Sequence, residues 1–210
     1  MFAGAAAVMQ AVESQTLILY HTDLRGQWPE ERARALARRL PYLKRLAVSG
    51  RSARAQATVA GVALALAALT RALGREVLPS ELRFAFEEKP RLAAAADSAR
   101  APADFSIAHS GPWVGCAALR GGRVGLDVEL DGEARLADWV AREAVVKAAG
   151  LGMRAVKEVE LNGAGARCRG EHWHARRLDQ FPGAAACVMT SVAVLAVEAR
   201  QVRLAELFAP

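Results

Sequence analysis

The sequence predicts an α+β fold made of two halves, each of which runs strand, helix, strands. Residues 55–73 are a long apolar run of strong helix formers, as expected for a buried helix. Residues 123–130 alternate apolar and polar side chains, which is the period of a strand. Residues 91–103 carry Ala, Asp and Pro and are typical of a surface loop. We therefore expect an N-terminal half at 1–103 and a C-terminal half at 104–210.

The first half begins with a strand at residues 16–20, after a start at 1–15 that shows no period and is expected to be extended or frayed. An amphipathic helix is predicted over 29–40, because one proline lies at its start and another follows its end. The long apolar helix ends at Gly74, which suits a helix terminus. Alternation then predicts a strand at 81–86.

The second half contains most of the predicted strands and one helix. Strands are predicted at 105–108, 113–119, 123–130, 157–161 and 171–176, with a buried strand region at 185–197. Turns are predicted at 109–112 and at 162–163. The helix is expected over 139–149, with Asp138 as its cap and Gly150 just after its end.

Composition favours an acidic partner and disfavours several classes of protein. The net charge is +6 and the isoelectric point is near 9.8, whereas aromatic residues make up 6%, which is thin for nucleic-acid stacking. The three cysteines are scattered without a Cys/His cluster, so we expect no zinc and a reducing, cytoplasmic setting. The longest apolar run, Val59–Leu69, is shorter than the roughly 20 residues that span a bilayer, so no membrane span is expected.

Two carboxylates alternate on the strand at 123–130. Asp127 and Glu129 are two positions apart, so they share one face of the strand and repel each other when both are ionised. A divalent cation relieves that repulsion, and Mg²⁺ favours a few carboxylates together with phosphate oxygens. The alternative is a solvated face on an edge strand, since this spacing is common.

The predicted helix carries a second ionisable group of residues. Glu143 and Lys147 are four positions apart and share a helix face, with Arg142 beside them. A carboxylate among cations can act as a base next to a phosphate clamp. The alternative is an exposed ion pair that stabilises the helix slightly.

Two further places suit an anion. His109 and Ser110 lie in a predicted turn where backbone N–H groups can meet a phosphate. Arg54 lies at the start of the long apolar helix, and helix N-termini with an arginine also bind phosphates. The alternatives are a structural histidine and a surface arginine.

Three motifs, taken in order, resemble those of the 4′-phosphopantetheinyl transferases of the broad-specificity, surfactin-synthetase-activating type. That family shows I-S-H-S, then G-[IV]-D-[IV]-E, then W-x-x-K-E-A-x-x-K-x-x-G-x-G. The matching segments here are 107–110, 125–129 and 139–152, within a stretch that spans about a quarter of the chain. A weaker similarity extends to Arg54 and to Lys89, which precedes a proline.

The chain departs from the family at three places. Ala108 replaces a small hydroxyl residue, and Arg142 replaces a lysine, which exchanges a point charge for a planar fork. The connection between Glu129 and Trp139 is short where the family carries a longer helical insertion.

The resemblance implies a fold of two similar α/β subdomains packed as a pseudo-dimer, with coenzyme A on the side of the N-terminal subdomain. It implies transfer of 4′-phosphopantetheine from coenzyme A to a serine of an acidic acyl or peptidyl carrier protein, releasing 3′,5′-ADP, by a Mg²⁺-dependent monomer. The residues it implies are the metal ligands Asp127, Glu129 and Glu143, the catalytic residues Glu143, Lys147 and Asp127, and the coenzyme A ligands Arg54, Lys89, His109, Ser110, Arg142 and Lys147. Two other functions stay open: a coenzyme A-binding protein without activity, and a basic nucleic-acid-binding module.

Overall fold

The computed structural model of the chain describes residues 16–40, 52–85, 88–93, 102–130 and 134–208. The extended start predicted at 1–15, the helix stop at Pro41 and the end of the strand predicted at 81–86 lie outside those residues. The strands are β1 (Thr16–Asp23), β2 (Leu82–Arg83), β3 (Arg91–Leu92), β4 (Ala103–Ser110), β5 (Trp113–Arg120), β6 (Val124–Leu130), β7 (Glu160–Leu161), β8 (Gly165–Cys168), β9 (Glu171–Arg177), β10 (Ala184–Thr190) and β11 (Ala196–Gln201). The helices are α1 (Glu30–Arg38), α2 (Ala53–Leu73), α3 (Ala134–Ala149) and α4 (Leu204–Leu207), with 3₁₀ turns at Pro79–Glu81 and Met153–Glu158.

The described elements form an α+β structure with two main sheets. The first sheet has the strand order β11-β1-β5-β4, in which only the β1–β11 pair is parallel. The second has the order β6-β10-β9-β8-β7 and is antiparallel throughout. A separate pair joins β2 and β3. The predicted α+β class is therefore confirmed at this level.

Three buried clusters stack these elements in four layers: helix, sheet, sheet, helix. Helix α2 packs on the first sheet, and α3 packs on the second. Between the two sheets lies a third cluster, to which β1 contributes Leu17 and Leu19 while its neighbours Ile18 and Tyr20 face α2. The two faces of β1 are thus both buried, because alternate side chains point to opposite sides of a strand. The first sheet takes strands from both predicted halves of the chain, and the boundary at residue 103 falls on the first residue of β4. The division into two domains stays a prediction.

Helix α2 is the element that the sequence predicted best. The Ser52 side chain accepts a hydrogen bond from the Ala55 N–H at its start, and Gly74 ends it in the left-handed conformation at φ 66°. Its 21 residues are long and apolar enough to cross a membrane by length and composition, so the expectation drawn from the shorter run at 59–69 was wrong on length. In this structure the helix covers the first sheet, as the core helix of a globular protein does.

Edge strands of the two sheets meet along a line that we call the β4–β6 seam. Side chains at alternate positions of β4 accept hydrogen bonds from backbone N–H groups of β6. Asp104 accepts from Val124, Ser106 accepts from Leu126 and Ser110 accepts from Leu130, at distances of 2.7, 3.0 and 2.9 Å. These side chains replace the backbone partners that a continuous sheet would supply.

Several predicted boundaries differ from the structure. Strand β4 continues through His109 and Ser110, so the turn consists of residues 111–112. Helix α3 starts at Ala134, so Asp138 lies inside the helix and is not its cap. The strand expected at 81–86 is described only as Leu82–Arg83.

The predicted C-terminal region also contains errors. The strand region at 185–197 is two strands that belong to different sheets, and β8 lies between two strands that were predicted. Part of the predicted strand at 157–161 is a 3₁₀ turn, and only Glu160–Leu161 is extended.

Candidate functional site

The site lies where β6 packs against α3. Alternation along β6 directs Val124, Leu126 and Val128 into the cluster between the sheets, so the intervening positions face α3. One of those positions is Gly125, where an added Cβ would lie 1.9 Å from the carbonyl oxygen of Ala144. The helix therefore approaches the strand more closely than any side chain at residue 125 would allow.

Three acids converge on this contact, and we call them the acid triad. Asp127 and Glu129 come from β6, and Glu143 comes from α3. One carboxylate oxygen from each lies within 4.8 Å of the other two. The structure thus brings together the three residues that were predicted as metal ligands.

Asp127 is the buried member of the triad. It is 2% exposed, its Oδ1 forms an ion pair with the Lys147 ammonium group, and its Oδ2 is buried without a hydrogen-bond partner. Burial raises the pKa of Asp127 to about 6, although the charge of Lys147 acts in the opposite direction. Glu143 and Glu129 raise that pKa further by repulsion. A second positive charge at Oδ2 would offset both the cost of burying the ionised carboxylate and its repulsion by Glu129 and Glu143.

Glu143 is the half-buried member of the triad that α3 supplies. Burial raises its pKa above the ordinary value, and the negative charge of Glu129 raises it further. Lys147 and a hydrogen bond with the Trp139 side chain lower it. Trp139 is itself 43% exposed, so the pair forms an accessible rim beside the triad.

The triad fits a divalent cation held by oxygen ligands. Two oxygens bound to one Mg²⁺ at about 2.1 Å are at most about 4.2 Å apart, so a small inward movement of the carboxylates suffices. The larger Ca²⁺ also accepts oxygen ligands at this separation. The unpartnered Oδ2 of Asp127 supplies an independent sign that a ligand belongs here.

Two basic residues lie near the triad. His109 is exposed at the end of β4, and Arg54 is exposed in the first turn of α2. Burial lowers the pKa of His109, and the charges of Lys147 and Arg54 lower it further. The charges of Lys147 and Arg54 both affect the pKa of one imidazole, so we describe them as a common positive region beside the triad. Glu129 lies next to that region and raises the pKa of the same imidazole.

Ser110 makes a different contact from the one expected. Its hydroxyl donates a hydrogen bond to Oε2 of Glu129 at 3.0 Å while accepting one from the Leu130 N–H. It is thus engaged with a triad carboxylate and with the backbone of β6.

Two predicted coenzyme A ligands are engaged in other contacts. The Lys89 ammonium group pairs with Asp104 and donates to the carbonyl oxygen of Val124, near the starts of β4 and β6. Asp104 and Ser110 are six positions apart on β4, which is about 20 Å of strand. The structure therefore does not bring Lys89 to His109 and Ser110.

Arg142 is the second of these ligands. Its guanidinium group donates to the carbonyl oxygen of Val159, which ties α3 to the segment that follows it. At least one side of its fork is therefore used within the protein.

Sequence reasoning missed two features that build the site. Gly125 was noted only as part of a motif, although its missing side chain sets the distance between β6 and α3. The seam was missed as well, although polar residues at alternate positions 104, 106 and 110 of an otherwise apolar strand are a signal for it. No family model matches this chain, and no curated protein matches it either.

Proposed function

We propose that the protein is a 4′-phosphopantetheinyl transferase, which moves the phosphopantetheine arm of coenzyme A to a serine of a carrier protein. The observation that carries the proposal is the acid triad. Two motifs that are 14 residues apart in sequence, at Glu129 and Glu143, place their carboxylates around one point, with a buried unpartnered oxygen of Asp127 among them. That arrangement is what the motif order predicts for this class of transferase.

The triad would hold Mg²⁺ through Asp127, Glu129 and Glu143. When bound, the ion supplies positive charge to the pyrophosphate of coenzyme A. The protein's own cations would add to that positive charge. Lys147 is the nearest of them, since it already pairs with Asp127.

Glu143 is our choice for the base that takes the serine proton. Its raised pKa makes it a better proton acceptor than an ordinary glutamate at neutral pH, and it is only half-buried. The serine oxygen forms a bond to the β-phosphorus, the bond from that phosphorus to 3′,5′-ADP breaks, and the proton passes to Glu143. Lys147 stabilises the charge that develops on the phosphate oxygens.

His109 and Arg54 are proposed to bind the phosphates of coenzyme A. Both are exposed, and both lie in the positive region beside the triad. The Ser110 hydroxyl already contacts Glu129 and the Leu130 N–H, so Ser110 is not among these ligands. Lys89 and Arg142 would have to leave their present contacts in order to bind phosphates, so they are the weakest of the proposed ligands.

The proposal includes the wider architecture and partners. We propose that α2 on the first sheet and α3 on the second represent the two subdomains of a pseudo-dimer, since each sheet carries one long helix. The net charge of +6 favours an acidic carrier protein. We further propose a cytoplasmic monomer without a membrane or nucleic-acid partner.

The decisive experiment incubates the protein with apo carrier proteins, coenzyme A and Mg²⁺ and weighs the carriers. We expect a mass gain of one phosphopantetheine arm. Glu143→Gln is expected to abolish the gain while keeping the fold, and Glu160→Gln, an exposed glutamate on β7, serves as the matched control. Binding of coenzyme A without a mass gain on any carrier would instead favour the inactive coenzyme A-binding protein. Full activity of Glu143→Gln would remove Glu143 as the base.

A further inference from the structure

The Ser110 hydroxyl makes two hydrogen bonds, one as an acceptor and one as a donor. The oxygen accepts from the Leu130 N–H at 2.9 Å, and the single hydroxyl proton goes to Oε2 of Glu129 at 3.0 Å. A hydroxyl has one proton to donate, so the same group cannot also donate to a phosphate. The expectation that Ser110 binds coenzyme A therefore conflicts with the contacts that it makes.

The backbone contact fixes the direction of the hydroxyl. Once the oxygen accepts from Leu130, its proton is aimed at the carboxylate of the preceding residue, Glu129. Glutamate loses considerable side-chain entropy when it is held in one rotamer. A fixed donor on one carboxylate oxygen lowers that cost during ligand binding and leaves the other oxygen for a cation.

Ser106 provides an internal comparison. It stands four positions earlier on the same face of β4 and accepts from the Leu126 N–H at 3.0 Å, as Ser110 does from Leu130. The residue that precedes Leu126 is Gly125, which has no side chain, whereas the residue that precedes Leu130 is Glu129. The two serines thus share the seam contact, and only Ser110 adds a carboxylate of the triad.

We propose that Ser110 is a positioning residue that orients Glu129 for a divalent cation, and that it is not a phosphate ligand. This inference rests on the proposed metal site at the triad. Ligands that are themselves hydrogen-bonded hold metals more tightly, and loss of such a partner typically weakens the affinity about 10- to 100-fold.

The test measures Mn²⁺ binding to the purified full-length protein, without coenzyme A, by the paramagnetic resonance signal of the free ion. We expect Ser110→Ala to weaken Mn²⁺ binding about tenfold or more. Ser106→Ala is expected to bind Mn²⁺ as the wild type does, although both variants lose one seam hydrogen bond and melt at similarly lowered temperatures. Ser110→Thr keeps the hydroxyl and is expected to restore binding.

A second measurement separates the two roles of Ser110. Calorimetric titration with coenzyme A in the presence of a chelator is expected to give the same affinity for Ser110→Ala and the wild type. Weakened coenzyme A binding with unchanged Mn²⁺ binding would overturn the inference in favour of a phosphate ligand. Equal loss of Mn²⁺ binding in Ser106→Ala and Ser110→Ala would overturn it as well, since the seam alone would then be responsible. A wild-type protein that binds no Mn²⁺ would overturn the metal site itself and the inference with it.

Discussion

Substitution of Gly125 by alanine tests whether close packing of α3 on β6 assembles the triad. The Cβ of an alanine would lie 1.9 Å from the Ala144 carbonyl oxygen and 2.5 Å from the Ala148 backbone nitrogen. Both are backbone atoms, so no side-chain rotation relieves the contact. Observed Cβ contacts stay above 3.0 Å, so helix and strand must separate by about 1 Å at this point.

That separation reaches the triad directly. Gly125 is two residues from Asp127 on β6, and Ala144 is the neighbour of Glu143 on α3. The three carboxylate oxygens already span up to 4.8 Å, which is somewhat more than the roughly 4.2 Å that Mg²⁺ can bridge. An added displacement of about 1 Å leaves Glu143 out of reach. We expect Gly125→Ala to weaken Mn²⁺ binding at least tenfold and to lower the rate of the proposed phosphopantetheine transfer about 100-fold.

The matched control is Gly165→Ala. An added Cβ there would lie 2.0 Å from the Trp173 carbonyl oxygen, in the same sheet but on β8, away from the acids. Both variants should lose about 1–3 kcal/mol of unfolding free energy through overpacking, measured by urea denaturation. Only Gly125→Ala should lose metal binding. Wild-type Mn²⁺ affinity in Gly125→Ala, or an equal loss in Gly165→Ala, would refute the reasoning.

Three further predictions concern single contacts. Lys147→Met removes the ammonium group that competes with a cation for Asp127. In alkaline buffer and without coenzyme A, Mn²⁺ should therefore bind this variant more tightly than the wild type, while the proposed phosphopantetheine transfer should fall. Weaker Mn²⁺ binding would instead show that the lysine supports the ion. Ala108 lies between Ser106 and Ser110 at the seam position opposite Val128 and has no polar side chain. Ala108→Ser should therefore raise the free energy of unfolding by about 1 kcal/mol in urea denaturation, whereas a loss would mean that the buried site is too tight. Burial lowers the pKa of His21, so the unfolded chain binds the extra proton first and unfolding free energy should fall as pH drops below about 6.5. His21→Phe should reduce that fall in pH-dependent denaturation, and an unchanged slope would contradict it.

Local patterns predicted the parts of the site that depend on local geometry. Asp127 and Glu129 share a face because strands alternate, and Glu143 and Lys147 share one because helices repeat every 3.6 residues. Those two facts hold before any tertiary contact forms. The close packing of β6 against α3 depends on the absence of a side chain at Gly125. The sequence shows a glycine at this position but does not show which element packs against it.

Long cationic side chains were the least predictable part of the site. Lys89 reaches Asp104, a residue 15 positions later, and Arg142 reaches the backbone of Val159, 17 positions later. Flexible stems of this kind can satisfy their charge with any partner within several ångströms, and spacing along the chain does not identify that partner. Motif position therefore indicated a role for both residues that their contacts do not support in this structure.

Strand boundaries failed where one apolar run serves two sheets. Residues 185–197 were predicted as one largely buried strand region, yet β10 pairs with β6 and β11 pairs with β1. The break between them is set by the change of sheet, for which an apolar run carries no signal. The helix start failed for a related reason, since the capping residue Asp138 suits a terminus but is also tolerated within a helix.

Burial disfavours a solvated strand face as the interpretation of the paired carboxylates. A solvated strand face would leave Asp127 in water, where repulsion from Glu129 costs little, but Asp127 is 2% exposed. Burial raises its pKa to about 6, with Lys147 at one oxygen and no partner at the other. A buried carboxylate oxygen without a partner is costly, and Oδ2 has no protein partner among the described residues. A cation that joins this oxygen to Glu129 and Glu143 would remove the cost, and such a cation is what the proposed phosphoryl transfer needs.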